Sequence, residues 1–479
     1  MEELRKIDEF TWKVEKSGRM KVPVYIFATE RLIQKMRQDR TIWQAKNVAS
    51  IQGVQKAVFV MPDGHEGYGM PIGGVAAFEY SENGIIGPGM IGYDINCGVR
   101  VIRTDFLFED IKGRIKQLAD TIFKLVPSGV GSTGPLRLSE AELDRVLDEG
   151  CEYILERGMA WDEDLKHCEE GGRMESADSS KVSSKAKRRG RPQLGTLGAG
   201  NHFLEIQRVQ EIYDLKIAEK LGIFKDQVVI MIHTGSRGLG HQVASDYIEL
   251  FRRRFRDILR HSPDPELVYA PLGTKEADDY FAAMSAAANY AWSNRQVITY
   301  RTRQAFEKVF GMKAEDMGMY LIYDVAHNIG KIEVHKVNGE KKKVLVHRKG
   351  ATRAFPPGRP EIPEDYREIG QPVLIPGSMG TASYILVGTQ RAMELCFGST
   401  THGSGRTMSR AKAKRTYWGR DIVRMLESRG IYVRAASMAV VAEEAPAAYK
   451  DVDEVVKAAH GVGISKKIAR MVPLAVVKG

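Results

Sequence analysis

The stretch QVVIMIHTGSRG, residues 227 to 238, decides the fold class. Its first six residues, Gln227 and five apolar residues, read as a buried strand, and the run stops where Thr234, Gly235 and Ser236 begin a turn. His233 stands at that strand end. The same arrangement recurs outward from it: AVFVMP (57 to 62) leads into DGHEGYG with His65, and MYLIYDVA (319 to 326) leads into His327. GAGNHF carries His202 and STTHGSGR carries His402, so five of the eleven histidines sit in short glycine-bearing segments. Strand ends place polar side chains at the rim of a sheet, where imidazoles from several strands can converge on one pocket. Neutral imidazole is the commonest metal ligand and a capable base or nucleophile. The DINCG segment adds Asp94 and Cys97, three apart.

A chain of 479 residues with 43% hydrophobic residues can bury a large core. Helical spacing at 108 to 124, 138 to 160, 209 to 221, 240 to 260, 276 to 310, 408 to 427 and 451 to 470 alternates with strand runs. A hairpin is expected around Asn338-Gly339, and two more strands flank the glycines of PVLIPGSMGTASYILVG. The expectation is a mixed α/β (α+β) fold, one large domain over residues 1 to 479 with stacked β-rich layers carrying the pocket and helices on the outside. Residues 174 to 193 have almost no apolar content and predict an exposed, mobile insertion within that domain.

Lys and Arg exceed Asp and Glu by 71 to 61, a net charge of +10 that is unevenly spread and reads on charge alone equally as a preference for polyanionic partners and as a solvated charged surface. Four scattered cysteines without a CxxC pair suit a reducing cytoplasm. MEELRKIDEF carries charges where a signal peptide needs apolar residues, and no run reaches the length of a membrane span. A soluble cytoplasmic protein without a membrane partner is expected.

Asp94, Cys97, His202, His233 and His327 offer one carboxylate, one thiolate and three imidazoles, enough for two metal ions if the thiolate bridges them. A lone cysteine reads first as a small buried hydrophobe, and a lone histidine as a satisfied structural residue. Five histidines at glycine-rich rims shift that balance. Thiolate softness alone points to zinc or another late metal. Gly200 to Glu205, PGSMGTAS (376 to 383) and HGSGR (402 to 406) present backbone N–H groups with small hydroxyl residues, a lining that accepts phosphate oxygens. Arg237 and Arg406 each follow a histidine by four residues, placed to neutralise phosphoryl charge.

The ordered set DGHEGYGMPIGGV, GYDINCGVR, LGAGNHFLE, HTGSRGLG, DVAHN, PGSMGTASY and HGSGR resembles the RtcB family of RNA ligases, from about residue 20 to the last glycine. The resemblance implies an RtcB-type fold around a two-metal pocket. It implies a GTP- and manganese-dependent RNA ligase that joins 3′-phosphate or 2′,3′-cyclic phosphate ends to 5′-hydroxyl ends. Two Mn²⁺ ions replace the zinc of the softness argument, one on Asp94, Cys97 and His202, the other on Cys97, His233 and His327. His402 resembles the family's nucleophile, which carries GMP covalently before an RNA(3′)pp(5′)G intermediate forms. Guanylate contacts carry over to Asn201, His202, Phe203, Leu204 and Glu205, and to His327 and Asn328. They carry over also to Pro376, Gly377, Ser378, Met379 and Ser383, to His402, Gly403, Ser404 and Gly405, and to Tyr449 and Lys478. The implied partners are RNA, as tRNA halves or broken ends in tRNA splicing and repair, and an archease-type activating protein.

Arg237, Arg406 and Arg410 are the first choices for RNA contacts, with Lys412, Lys414 and Arg415 extending the track. Arg252, Arg253, Arg254 and Arg256 read as a solvated helix face, since Phe251, Phe255 and Leu259 give that helix a packing side. KAKRRGR (185 to 191) reads equally as an RNA-touching arm or an exposed loop. Asp63 and His65 receive a structural role. Two other classes compete: a two-metal phosphoesterase that only opens or trims phosphate ends, and a non-catalytic RNA-binding protein.

Overall fold

The apolar run 227 to 232 forms the strand Gln227–Thr234 in a computed structural model that describes residues 4 to 479, and every residue of that strand is buried. The first three residues of the expected domain, and of MEELRKIDEF, lie outside the described residues. The strand lies inside an eight-stranded sheet, between Gly98–Leu107 and Phe203–Ile212. Leu321–Ala326 closes one edge; Ser465–Lys478, Ser383–Gly388 and Pro372–Ile375 continue from Phe203–Ile212, and Tyr432–Ala435 pairs alongside Ser465–Lys478.

A seven-stranded sheet takes the order Leu4–Lys6, Thr11–Val14, Val24–Phe27, Val58–His65, Ile72–Glu79, Glu340–Lys349, Asn328–Val337. Pairing within the two large sheets is antiparallel except for Val24–Phe27 with Val58–His65 and Tyr432–Ala435 with Ser465–Lys478. The hairpin turns at Asn338 and Gly339, both at positive φ (52° and 90°), the backbone that a two-residue turn between twisted strands requires. His327 sits between the edge strand of one sheet and the edge strand of the other, so the pocket falls where the sheets meet.

The helix expected at 276 to 310 runs Lys275–Phe310, capped by the Thr274 side chain and ended by Gly311 at φ 70°. Most helices cover the sheets, but this one passes through the interior. Ala286, Ala287, Ala288 and Ala291 let neighbours approach closely, while Asn289, Asn294 and Arg295, fully buried, turn their polar ends to surrounding loops. Asn294 accepts from Gly195 N and Thr196 N (2.7 and 3.1 Å), and Arg295 donates to Asn96 O and Thr234 O (2.9 and 2.8 Å). The helix thus braces the segments that carry the metal-ligand candidates.

Several boundaries differ from expectation. The strand Phe203–Ile212 runs on through the first residues of the expected 209 to 221 helix, which is only Leu215–Lys220, started by an Asp214 side-chain cap. The helical pattern at 451 to 470 stops at Val462, where Gly463 takes φ 84°, and the remainder enters the strand Ser465–Lys478. The 138 to 160 stretch divides at Gly150, and the 240 to 260 stretch at Phe255. Residues 174 to 193 hold a short helix, Ser184–Gly190, and are tied down by the polar residues that predicted exposure. Ser179 N and Oγ donate to Asp148 (2.6 and 2.8 Å), Ser183 Oγ donates to Asp246 (2.6 Å), and Lys187 pairs with Asp144 (2.6 Å). Val182 and Ala186 enter the core beneath, while Arg188 and Arg189 remain exposed.

Candidate active site

A tight turn carries Asp94 and Cys97 into the strand Gly98–Leu107: Cys97 N donates to Asp94 O (2.9 Å), and Asn96 takes φ 49°, a left-handed backbone that asparagine tolerates. Sheet register does the rest. Gly98 lies opposite Thr234 on one side and Ala326 on the other, and Phe203 lies opposite His233. The strand ends are therefore neighbours, and they bring Asp94, Cys97, His202, His233 and His327 together. Asp94, Cys97 and His202 form one ligand group and Cys97, His233 and His327 a second, each with its donor atoms within 4.8 Å of one another. Cys97 Sγ belongs to both, 3.5 Å from His202 Nε2 and 3.3 Å from His233 Nε2. His202 Nε2 is 2.9 Å from Asp94 Oδ2, and His233 Nε2 is 3.3 Å from His327 Nε2. Gly235 is required beside them, since a Cβ there would lie 2.4 Å from Asp94 Oδ1.

The electrostatics fit a cation. Burial lowers the pKa of His202, His233 and His327, leaving neutral rings with a lone pair to give. His202 Nδ1 lies 3.3 Å from both Thr234 Oγ1 and Arg237 Nη1, so the ring turns its Nε2 toward Asp94 and Cys97. Burial would raise Asp94, but the charge and hydrogen bond of His202 hold it below the usual carboxylate range. Burial, and next the Asp94 carboxylate, push Cys97 well up, a direction that a bound metal ion reverses.

His402 faces this cluster from the end of the strand Ser399–Thr401, its ring centroid 4.9 Å from that of His327. Asp63 holds it. Asp63 Oδ2 accepts from His402 N and Gly403 N (2.9 and 3.1 Å) and is in close contact with His402 Nδ1. Full burial would raise Asp63, but the His402 charge and the hydrogen bonds from His402 keep its pKa low, so a carboxylate stands behind the ring. His65 Nδ1 donates to Asp63 O (2.9 Å), and burial pushes its pKa down to about 3. The role of Asp63 had no sequence signal, because the contact spans 339 positions.

Between the two walls lies a cavity of about 400 Å³. Of the expected nucleotide contacts, Asn201, Phe203, His327, Asn328, Pro376 to Met379, His402 to Gly405, Tyr449 and Lys478 line it, and His202 does not. Leu204, Glu205 and Ser383 stand behind the lining. Leu204 is packed in the apolar core. Glu205 accepts from Gln207 Nε2 (2.7 Å), which also donates to Ser383 Oγ (3.0 Å), and that hydroxyl accepts from Gly377 N (3.0 Å), bracing the 376 to 379 turn. Lys478 Nζ donates to His202 O (3.3 Å), which ties the penultimate residue into the site.

The arginines divide. Arg237, at φ 54°, lies 3.3 Å from His202 Nδ1 and from Thr196 Oγ1. Arg406 is engaged, pairing with Glu444 (3.0 Å) and donating to Tyr449 Oη (3.0 Å). Arg410 is exposed at the rim beside Glu443 (3.2 Å). Sequence reading missed Lys349, which lines the cavity and donates to the carbonyls of Tyr68, Met70 and Gly89 (2.6, 2.9 and 2.8 Å). Its hairpin context carries no chemical signature.

A buried Cys/His/Asp cluster able to hold metal, beside a carboxylate-held histidine at one cavity, is the arrangement of an enzyme active site. The family model described as "tRNA-splicing ligase RtcB" matches residues 44 to 479, and the chain belongs to that family. It is 56% identical over 477 residues to the tRNA-splicing ligase RtcB of Thermococcus kodakarensis, with 99% of each chain covered. It is 55% identical over 478 residues to the proteins of the same name from Aeropyrum pernix and Archaeoglobus fulgidus, again over 99% of each chain. No helix among the described residues is long and apolar enough to cross a membrane.

Proposed function

We propose that this protein is a GTP- and manganese-dependent RNA ligase that seals RNA 3′-phosphate or 2′,3′-cyclic phosphate ends to 5′-hydroxyl ends. The carrying observation is that Cys97 belongs to two ligand groups while His402, gripped by Asp63, faces one of them. Two Mn²⁺ ions, on Asp94, Cys97 and His202 and on Cys97, His233 and His327, would neutralise phosphate charge during the reaction.

Asp63 takes the Nδ1 side of the His402 ring, so the Nε2 lone pair is the one offered to the cavity. Nε2 attacks the α-phosphorus of GTP, pyrophosphate leaves, and His402 carries GMP through a phosphoramidate bond. Guanylate is held by Asn201, Phe203, Asn328, Tyr449 and Lys478, with the backbone N–H groups of 376 to 379 and 403 to 405 for its phosphate. Glu205 and Ser383 act from behind as positioning residues. A cyclic phosphate is first opened by water to a 3′-monophosphate. The 3′-phosphate then attacks the GMP phosphorus and frees His402, giving RNA(3′)pp(5′)G. The 5′-hydroxyl oxygen attacks the activated 3′-phosphorus, loses its proton, and GMP leaves. Arg237 and Arg410 neutralise the incoming RNA backbone. The substrates are tRNA halves or broken RNA ends, in cytoplasmic tRNA splicing and repair, with an archease-type protein as activating partner.

Incubation with α-labelled GTP and Mn²⁺ is expected to label the protein through an acid-labile bond, and His402→Ala to take no label. An unlabelled wild type, or a His402→Ala variant that labels equally, overturns the reading. Opening of cyclic phosphates without GTP and without joining would assign the site to a phosphoesterase instead.

A further inference from the structure

Two cysteines outside the active site share one small space. Cys151 opens the helix Cys151–Glu156, and Cys168 immediately precedes the 3-10 turn Glu169–Gly172. A Cβ placed on Gly172 would lie 2.7 Å from Cys151 Sγ and 3.5 Å from Cys168 Sγ, so both sulfurs crowd the position that this glycine leaves open. Gly172 also takes φ 77°, which folds the turn back over the pair. Burial raises the pKa of Cys168, with a hydrogen bond from its own thiol to Cys151 as the next cause, which places the two sulfurs within hydrogen-bond reach. All four cysteines are buried, yet Cys168 lines a large polar cavity of about 940 Å³, roomy enough for a small reagent. Arg100 Nη2 donates to Cys168 Sγ (3.8 Å) from its ion pair with Asp324, which fixes the position of that sulfur.

We propose that Cys151 and Cys168 are a dithiol pair that closes to a disulfide, an oxidisable staple behind the metal-ligand strand. The residues around Cys168 already run along that strand: Asp324 N donates to His167 O (3.0 Å), and Ala326 N, next to His327, donates to Glu169 (2.7 Å). The disulfide ties the helix Cys151–Glu156 to this assembly across a short loop. With a small organic disulfide as oxidant, the Cys168 thiolate attacks one sulfur of the reagent, forming a mixed disulfide and releasing one reagent thiol. The Cys151 thiol, losing its proton, displaces the second reagent thiol and forms the Cys151–Cys168 bond. Two electrons and two protons pass to the reagent, and a dithiol reductant reverses the change.

The test incubates the full-length protein with oxidised glutathione under native conditions, blocks remaining thiols after unfolding, and maps tryptic peptides without reduction. The expected result is a linked pair of peptides containing Cys151 and Cys168, with a melting temperature raised by about 2–6 °C that returns on reduction. Cys151→Ser is expected to give no linked pair and to leave Cys168 as a mixed disulfide with glutathione. Cys151 and Cys168 both alkylated after oxidation, or either one linked to Cys97 or Cys396, overturns the proposal.

Discussion

Behind the pocket wall, buried Asp324 accepts from Arg100 Nε (2.8 Å) and from Nε and Nη2 of Arg295 (2.8 and 2.9 Å), while buried Asp164 takes a bidentate grip from Arg303 (2.7 and 2.7 Å). In the pocket lining Nδ1 of His233, Nδ1 of His327 and Ser404 Oγ, and directly behind it Glu205 Oε1, are buried with no hydrogen-bond partner among the described residues. Both regions hold polar groups away from water. The ionic layer matches each carboxylate with guanidinium donors, whereas the pocket keeps bonding capacity open, at about 1–3 kcal/mol for each buried group left unmatched. The layer holds the backbone of Asn96 and Thr234, the neighbours of Cys97 and His233, so the fully paired region supplies the rigidity that lets the other stay unpaired.

The sharpest way to break this contrast is Asp324→Ala. It leaves Arg100 and Arg295 as buried charges without their counter-ion and is expected to destabilise the fold by about 3–5 kcal/mol, read by denaturant unfolding. Unfolding at the wild-type midpoint would show that the layer is not structural. The converse variant is Cys97→Ala. Because its sulfur belongs to both ligand groups, Mn²⁺ affinity measured by titration is expected to fall by more than about 100-fold, beyond the loss of an outer partner, with a much smaller change in unfolding. Equal losses of stability in the two variants would dissolve the distinction.

The same division explains what could be read from sequence. Strand ends were legible as apolar runs halted by turn residues, and Gln227–Thr234, Val58–His65 and Leu321–Ala326 fall where such runs lie. Convergence of their histidines follows from the register of adjacent strands, and the roles that spacing left open rested on the resemblance of the ordered motifs around Cys97 and His402. Contacts between distant segments were not legible: Asp63 meets His402 only because separate strands deliver both residues to one spot. Burial was equally hidden. The alanine-rich middle of Lys275–Phe310 reads as an ordinary helix, and nothing local marks Arg295 as an interior brace. At 451 to 470 the apolar spacing of Val455, Val456 and Ala459 flows into Ile464 and Ile468, with only Gly463 marking the change from helix to strand.

Glu205 tests the pocket side through pH. Burial pushes its pKa from the ordinary carboxylate range up to about 8, with Gln207 and Lys478 opposing in part. Between about 4.5 and about 8 the folded protein retains a proton that the unfolded chain releases, so this group's contribution to stability falls as pH rises through that window. Glu205→Gln removes the titration. Its unfolding midpoint, relative to wild type, is expected to be higher at pH 9 than at pH 4. A difference between the two proteins that does not change with pH would remove the unpaired carboxyl from the argument.

The smallest effect separates rim arginines from solvated ones. Arg410 is exposed beside the cavity and reaches the buried carboxylates of Glu443 and Glu444 from outside, and each of these keeps a second cation, Lys414 or Arg406, so RNA phosphate can take Arg410 without leaving either carboxylate unpaired. Arg410→Ala is expected to weaken RNA binding several-fold and to lower the slope of log affinity against log salt by about 0.7, the single-strand value for one phosphate contact. Arg406→Ala is not equivalent, because it also strips Glu444 and Tyr449 of their donor and disturbs nucleotide binding along with RNA. Arg253, exposed on the helix Arg237–Arg254, is the control: its alanine variant is expected to leave both slope and affinity unchanged and stability within about 0.5 kcal/mol. An Arg253→Ala slope change as large as that of Arg410→Ala would move the RNA path off the pocket rim and onto the helix face, and the +10 net charge would then act as a diffuse field and not as a placed contact.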